Sequence, residues 1–133
     1  MVKKAALLLF RGTGAAKQMM FVRDRSKPFL TLPGGKPEGT ETIEQALRRE
    51  ISEEIACEVK DFAFLEEVTG FTPDGRPLVI SLFSGTIKGT PKPSLEIDDI
   101  IWMSRQDIVS FQDLITPITT AEIFPCLTRH NLF

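Results

Sequence analysis

One segment, residues 42–55, constrains the fold most, because it has the periodicity of an amphipathic helix and yet carries acids on its apolar side. Apolar residues stand at positions 43, 46, 47, 51 and 55, which is the spacing of a helix face that packs on a core. At about 100° per residue, Ile43, Leu47 and Ile51 lie within roughly 80° of one another. Glu50 and Glu54 point into or to the edge of the same sector. The chain must therefore partly bury a helix that bears carboxylates.

The acids around this helix are too dense for an ordinary core helix. Seven of the eighteen Asp and Glu residues lie between Glu38 and Glu58. A solvated acidic helix face is the usual explanation of such a run, but here like charges repel one another and partial burial disfavours their ionisation. We expect Arg49 to neutralise one carboxylate, that of Glu53 or Glu41, and not to serve three. The remaining charge calls for a bound cation.

The donor types select the class of cation. The chain has one His, at position 130, and two lone cysteines, Cys57 and Cys126, without a C-x-x-C pair. A His-rich or Cys-cluster zinc site is therefore not expected, and both cysteines are predicted to be small buried hydrophobic residues. An all-oxygen site suits Mg²⁺ or Mn²⁺. The preceding loop suits phosphate, because Gly34-Gly35 allows close backbone approach and Lys36 adds a positive charge.

The rest of the chain predicts strands before and after this central helix. Strands are predicted over residues 4–10, 18–23, 57–69, 78–87 and 100–103, with an extended piece over 29–32, and further helices over 105–109, capped by Ser104, and 117–129, opened by Pro117. Glycines at 12 and 14 predict a hairpin-like connection between the first two strands, and Pro73-Asp74-Gly75 predicts a turn between the next two. This order indicates an α+β fold in which helices sandwich a sheet.

Length and charge limit the function classes. With 133 residues, 42% of them hydrophobic, one domain spanning 1–133 is expected. The formal net charge of −2 gives no general attraction to nucleic acid. No segment approaches the roughly 20 apolar residues that span a bilayer, and the apolar run near the start is too short for a secretion signal. A cytoplasmic protein without membrane or nucleic-acid partners is the expectation.

Residues 35–57, GKPEGTETIEQALRREISEEIAC, resemble the Nudix box, G-x5-E-x7-R-E-U-x-E-E-x-G-U, in which U is a bulky aliphatic residue. The positions that match it are Gly35, Glu41, Arg49, Glu50, Ile51, Glu53 and Glu54. Two positions depart from it, because Ala56 replaces the glycine and Cys57 takes the last aliphatic position. If Ala56 adopts a positive φ at the helix end, some strain follows, but no carboxylate is missing. The resemblance implies a Nudix-type α/β/α sandwich with a mixed β-sheet.

The resemblance also implies roles for the box residues. By the family pattern, Glu50 and Glu54 are the principal Mg²⁺ ligands, Glu53 is a further ligand or a close acid, and the carbonyl of Gly34 completes the site. Arg49 orients the glutamates, and Glu41 pairs structurally with the helix. The implied chemistry is attack of water on a phosphorus of a nucleoside diphosphate linked to another group, with Mn²⁺ able to substitute for Mg²⁺. Homodimers are frequent in the family, which leaves a homodimer open.

The general base and the substrate contacts remain open in the sequence. The base is either a box glutamate such as Glu53 or an acid of a later loop, where Glu96 resembles the loop glutamate of the MutT-like branch and Asp98 or Asp99 could serve instead. Lys36 is a candidate phosphate contact. Arg23, at the end of the second strand, is a candidate contact to phosphate or base, although a surface arginine beside a turn is equally common.

Several functions are compatible with the resemblance. The short chain favours the MutT-like branch, in which a nucleoside triphosphate, oxidised or not, is cleaved to monophosphate and pyrophosphate. Pro73, 16 residues after the box, stands at a position associated with ADP-ribose pyrophosphatases, so ADP-ribose or a nucleotide sugar is the alternative substrate. A non-catalytic nucleotide-sensing domain usually lacks box acids, and this chain keeps them all. An RNA-directed role such as decapping would require a basic track. His130 is predicted to be a surface residue.

Overall fold

The computed structural model describes all residues, 1–133, as seven strands and a small number of helices. The strands are β1 (Val2–Leu8), β2 (Phe10–Arg11), β3 (Gln18–Asp24), β4 (Gly34–Gly35), β5 (Glu58–Phe71), β6 (Pro77–Lys88) and β7 (Ile97–Ser104). The α-helices are α1 (Ile43–Ile55), α2 (Arg105–Ser110) and α3 (Phe124–Arg129), with 3₁₀ turns at Gly14–Ala16 and Gln112–Leu114. A π-helical segment, Thr119–Ile123, runs directly into α3.

The strands form two sheets. The four-stranded sheet has the order β4-β1-β6-β5 and is mixed, because β1 and β6 run parallel while the other neighbours are antiparallel. The three-stranded sheet has the order β2-β3-β7 and is antiparallel. Strand β4 is only two residues long, yet its pairing with Ala5 and Ala6 fixes the glycine loop against the sheet edge. The loop that precedes α1 is thereby held in a defined place.

Helix α1 forms where its local signals predict it. Thr42 caps the helix, because its side chain accepts a hydrogen bond from the backbone N–H of Gln45 while the Gln45 side chain accepts one from that of Thr42. Leu47 and Ile51 are fully buried in one of the two hydrophobic cores. The helix ends at Ala56, whose φ of 56° and ψ of 37° lie in the left-handed region. Ala56, which stands where the box has glycine, therefore does adopt the positive φ that would bring strain.

A second core lies on the other side of the four-stranded sheet. It contains Ile118, Ile123 and Leu127 of the terminal helical segment, packed against sheet residues such as Leu82. Because α1 covers one core and the terminal helix covers the other, the predicted α+β fold, an α/β/α sandwich with a mixed sheet, is confirmed. Both cysteines are buried, as predicted.

The predicted hairpin between the first two strands is only partly correct. Only the short β2 pairs with β3, through Phe10 with Met19 and Arg11 with Gln18. The longer β1 belongs to the other sheet, where it pairs in parallel with β6 from Val2–Leu78 onwards. The turn at Pro73-Asp74-Gly75 does join β5 and β6, as predicted. The terminal helix begins at Pro117 and reaches Arg129 as expected, but its first part is π-helical.

No helix combines the length and the hydropathy that crossing a lipid bilayer would require.

Candidate active site

Five carboxylates converge on a small pocket beside the C-terminal half of α1. The pocket has a volume of about 40 Å³, more than the roughly 10 to 15 Å³ that one water molecule needs. Its acidic lining residues are Asp24, Glu50, Glu53, Glu54 and Glu96, and Ser94, Leu95 and Ile97 complete it. These residues come from β3, from α1 and from the loop before β7, so the fold collects them from three distant parts of the chain.

The glycine loop holds two of these carboxylates against the sheet edge. The backbone N–H of Gly34 donates a hydrogen bond of 2.8 Å to Oε1 of Glu54. A Cβ at Gly35 would lie 2.6 Å from the carboxyl carbon of Glu50, so only glycine lets that side chain sit here. Gly34 has a φ of +145°, and a Cβ there would meet the carbonyl oxygen of Ala5 at 2.0 Å. Close approach to the backbone therefore requires glycine at position 34, whereas a side chain at position 35 would displace the carboxylate of Glu50.

Arg49 contacts three carboxylates, and the expectation that it would serve only one was wrong. Its guanidinium donates hydrogen bonds to Glu41 at 2.8 and 3.1 Å, to Glu50 at 2.7 Å and to Glu53 at 3.1 Å. Another of its N–H groups donates to the carbonyl of Lys36 at 3.0 Å. The planar fork of arginine, with five donors, makes this sharing possible. Arg49 orients these carboxylates but brings only one positive charge to three negative ones.

The site residues fit a hard divalent cation. Burial raises the pKa of Glu54 to about 8, despite the hydrogen bond from Gly34, and burial also raises the pKa of Glu50. Arg49 does not reach Glu54, so that carboxylate has no cationic hydrogen-bond partner. For all of these carboxylates to be ionised together near neutral pH, a further positive charge must be bound beside them. Oxygen donors around a pocket of this size, without His or Cys, suit Mg²⁺ or Mn²⁺.

The loop before β7 brings Glu96 to the pocket. The backbone N–H of Ser94 donates to the carbonyl of Glu54 at 3.0 Å, and that of Lys92 donates to the carbonyl of Ile55 at 3.0 Å. The loop is thereby docked on the end of α1. Leu95 has a φ of 51°, which turns the chain so that Glu96 lines the same pocket as the box glutamates. Of the later acids proposed as a base, Glu96 is the one at the pocket.

The two other candidate acids and Arg23 are engaged elsewhere. Nε of Arg23 donates to Asp99 at 2.8 Å across β3 and β7. Arg25 lies 3.4 Å from Asp98. The structure therefore does not bring Arg23 into the cavity, and a contact with substrate would require it to leave Asp99.

A larger cleft joins the carboxylates to a group of cations. A cavity of about 380 Å³ is lined by Glu50 and Glu54 and also by Lys4, Lys27 and Lys36. A second cavity of about 330 Å³ shares those three lysines and adds Arg76. Burial, with the neighbouring Lys27 and Lys36, lowers the pKa of Lys4. The cleft thus places cationic side chains next to the carboxylate pocket.

Sequence reasoning missed several residues of the cleft. Asp24 lines both the pocket and the cleft, and its position at the end of β3, next to the predicted strand end, was the only available signal. A hydrogen bond from the backbone of Ser26 lowers the pKa of Asp24, so it adds a negative charge. Lys4 sits in an apolar run that reads as a core strand. Thr119 lines the cleft from the π-helical segment, which has no sequence pattern that distinguishes it from an α-helix.

Pro73 lines the second cavity, in a turn that its neighbours hold in place. The backbone N–H of Gly75 donates to the carbonyl of Thr72 at 2.9 Å, and Arg76 pairs with Asp74 at 3.0 Å. The turn accounts for the proline without a substrate.

Comparison of the sequence with models of known protein families identifies one family. The model of the NUDIX domain matches residues 2–124. A curated relative, 8-oxo-dGTP diphosphatase of Proteus vulgaris, is 46% identical over 55 residues, which are 41% of this chain and 48% of that protein. The chain therefore spans about half the length of the curated relative that it matches.

Solved structures share the fold over nearly the whole chain. A NUDIX hydrolase from Nitrosomonas europaea matches with a TM-score of 0.78 and 20% identity, over 98% of this chain and 88% of that one. The MutT protein of Methanosarcina mazei Go1 matches with a TM-score of 0.75 and 20% identity, over 98% and 94%. The NUDIX domain of Shewanella oneidensis NrtR, crystallised with ADP ribose, matches with a TM-score of 0.75 and 16% identity, over 99% and 88%. At these identities the likeness is one of fold.

Proposed function

The chain belongs to the NUDIX domain family, and from this premise we propose that residues 1–133 act as one pyrophosphohydrolase domain that depends on a divalent cation. The observation that carries the proposal is the pocket in which five carboxylates meet, beside a cleft that is also lined by Lys4, Lys27 and Lys36. Carboxylates can hold a metal ion, and cations can hold phosphate groups. A substrate with a phosphoric anhydride would be bound by both kinds of group, through a metal ion on the carboxylates and directly by the lysines.

Each site residue has a proposed task. Glu50, Glu53 and Glu54, with the carbonyl of Gly34, would hold Mg²⁺, for which Mn²⁺ can substitute. When bound, the ion would supply positive charge to the phosphate oxygens and acidify a water molecule. Arg49 keeps two of the glutamates oriented through its hydrogen bonds of 2.7 and 3.1 Å.

The proposed reaction is a hydrolysis. The oxygen of a water molecule forms a bond to a phosphorus, the bond from that phosphorus to the bridging oxygen breaks, and the bridging oxygen leaves with the electron pair. A carboxylate takes the proton of the water. Glu53 and Glu96 both line the carboxylate pocket, and either can be this base. Lys36 lines the cleft and is a proposed contact to a phosphate group of the substrate. Arg23 remains a predicted substrate contact only if it releases Asp99.

The proposed substrate is a nucleoside triphosphate, oxidised or not, which yields a monophosphate and pyrophosphate. Lys4, Lys27 and Lys36 line both cavities and offer more positive charge than a single phosphate needs, which suits a polyphosphate tail. Phe29 lines both cavities and can stack on a base. The name of the relative from Proteus vulgaris, 8-oxo-dGTP diphosphatase, supports the same class.

A substrate panel tests the proposal. Purified protein is incubated with Mg²⁺ and, separately, with dGTP, 8-oxo-dGTP, ADP-ribose, a nucleotide sugar and a dinucleoside polyphosphate, and phosphate and pyrophosphate are measured apart. We expect pyrophosphate from the triphosphates. Glu53→Gln and Glu54→Gln should lower kcat by about 100-fold or more, because a displaced or missing catalytic group costs that much. Glu44→Gln, an exposed position on the same helix, is the matched control and should keep the wild-type kcat.

The panel also separates the alternatives. Cleavage of ADP-ribose or the nucleotide sugar, with triphosphates untouched, would replace the proposed substrate by the alternative one. Tight nucleotide binding without product in Mg²⁺ or Mn²⁺ would indicate a sensing domain. Unchanged turnover in both Glu53→Gln and Glu54→Gln would refute the assigned roles.

A further inference from the structure

A second group of metal-ligating side chains lies outside the cleft, on the face of the four-stranded sheet that the terminal helix covers. It consists of Glu66 on β5 and of Cys126 and His130 at the end of α3. One ligand atom of each residue lies within 4.8 Å of those of the other two. None of the three lines the cavities of the candidate active site. Neither the family match nor the proposed hydrolysis gives this group a role.

The backbone holds the three side chains in place. Cys126 and His130 are four residues apart, and the backbone N–H of His130 donates to the carbonyl of Cys126 at 3.1 Å, so both side chains lie on one face of the last helical turn. Cys126 is fully buried in the core. Glu66 is fixed on β5 by its pairing with Leu82 of β6. The arrangement is therefore set by the fold before any ligand binds.

The distances are close to those of a tetrahedral metal ion. Zinc bonds of about 2.0 to 2.3 Å place neighbouring ligand atoms about 3.3 to 3.7 Å apart. Nε2 of His130 already lies 3.2 Å from Oε1 of Glu66. With the widest separation at no more than 4.8 Å, a contraction of about 1 Å brings all three donors into range. The side chains of His130 and Glu66 are 36% and 32% exposed, which leaves a path for an ion and a place for water as fourth ligand.

The surrounding charges allow the ion to bind. Nη2 of Arg129 contacts Oε2 of Glu66 at 2.7 Å, so Oε1, the oxygen that faces His130, is the one that can bind metal. We propose that Glu66, Cys126 and His130 form a binding site for Zn²⁺ or a cation of similar softness, distinct from the all-oxygen site on α1. One thiolate sulfur and one imidazole nitrogen select such a cation over Mg²⁺.

Metal binding at this site would release a proton and would connect two elements of the fold. The thiol of Cys126 gives up its proton to solvent when its sulfur binds the ion. The ion then links the last turn of α3 to β5. The same helical segment lines the cleft through Thr119 and Ile123, so this link fixes the far end of an element that shapes the candidate active site.

Titration with Co²⁺ in excess Mg²⁺ tests the proposal, because a thiolate bound to Co²⁺ gives a charge-transfer band in the near ultraviolet and a carboxylate site gives none. We expect one equivalent of Co²⁺ to produce this band, together with the visible bands of tetrahedral Co²⁺, and Zn²⁺ to remove both. Cys126→Ser should abolish the band. Cys57→Ser, at the other buried cysteine, is the matched control and should leave it unchanged.

His130→Gln provides a variant at an exposed position, where we expect the substitution to leave the fold intact. Because the loss of even an outer partner of a metal ligand costs about 10- to 100-fold in affinity, the loss of this ligand should weaken Co²⁺ binding by at least about tenfold. Three results would overturn the proposal: no charge-transfer band in the wild type, a band that persists in Cys126→Ser, or an affinity that is unchanged in His130→Gln.

Discussion

Replacing Glu54 by glutamine should stabilise the metal-free protein while removing its response to Mg²⁺. Glu54 accepts a hydrogen bond of 2.8 Å from the N–H of Gly34, and a glutamine oxygen can accept the same bond. The substitution therefore keeps the shape of the site and its backbone contact. It removes only the ionisable carboxyl, which burial makes costly to charge.

The size of the effect follows from the pKa of Glu54. Burial raises it from the ordinary 4.5 to about 8 in the folded protein. The folded state therefore binds more protons than the unfolded state between these values, so the wild type loses stability as the pH rises through this window. At about 1.4 kcal/mol per pKa unit, the cost is about 3 kcal/mol at pH 7 and levels off near 5 kcal/mol above pH 8.

Urea unfolding in EDTA at pH 5, 7 and 9 measures this difference. Glu54→Gln should unfold at a higher urea concentration than the wild type at pH 7, with a wider gap at pH 9 and a gap of less than about 1 kcal/mol in the free energy of unfolding at pH 5. Adding Mg²⁺ should stabilise the wild type, as a ligand that binds only the folded state does, and should leave the variant unchanged. Glu44→Gln, exposed on the same helix, should shift stability by less than about 1 kcal/mol and keep the Mg²⁺ response. A variant less stable than the wild type in EDTA at pH 7, or one with the full Mg²⁺ response, would refute the reasoning.

Three further substitutions test the backbone and the ligand-orienting contacts. Ala56→Gly should raise the free energy of unfolding by about 1 kcal/mol in urea, because glycine removes the Cβ strain at a φ of 56°; a decrease would contradict this. Gly35→Ala places a Cβ 2.6 Å from the carboxyl carbon of Glu50, so the Mg²⁺ affinity seen in thermal shifts should fall by about tenfold; an unchanged affinity would argue against the predicted role of that loop. Arg49→Lys keeps the charge but loses the fork that contacts three carboxylates. Steady-state kinetics should then show kcat lowered by about 100-fold, whereas a wild-type kcat would mean that Arg49 orients nothing essential.

The parts of the fold that depend on neighbouring residues could be predicted from the sequence. Helix α1 combines apolar periodicity with the cap at Thr42, and both act within a few residues. The turn at Pro73-Asp74-Gly75 is equally local. The parallel pairing of β1 with β6 depends on contacts between residues such as Val2 and Leu78. No short-range pattern in the sequence predicts such a contact. The sequence therefore assigns the whole first strand to a hairpin, of which only β2 is a part.

The candidate site likewise has a part that the local sequence predicts and a part that depends on the fold. The box glutamates share one helix, and their spacing alone predicts that they point to one side. Asp24 reaches the same pocket from β3, in the three-stranded sheet, which the spacing along the helix does not predict. The contacts of Arg49 depend on how its side chain lies among three acids. Glu66 and His130 are separated by 64 positions, so their contact also appears only in the fold.

The central claim is that the carboxylate pocket on α1 supports metal-dependent cleavage of a phosphoric anhydride. The most direct test measures the reaction products with and without Mg²⁺. 8-oxo-dGTP is incubated with the protein in EDTA, and then in excess Mg²⁺, while monophosphate and pyrophosphate are quantified together. We predict no product in EDTA and equal amounts of the two products after Mg²⁺ is added, with both formed at least about 100-fold more slowly by Glu54→Gln. Turnover that continues unchanged in EDTA, or in Glu54→Gln with Mg²⁺, would contradict the claim.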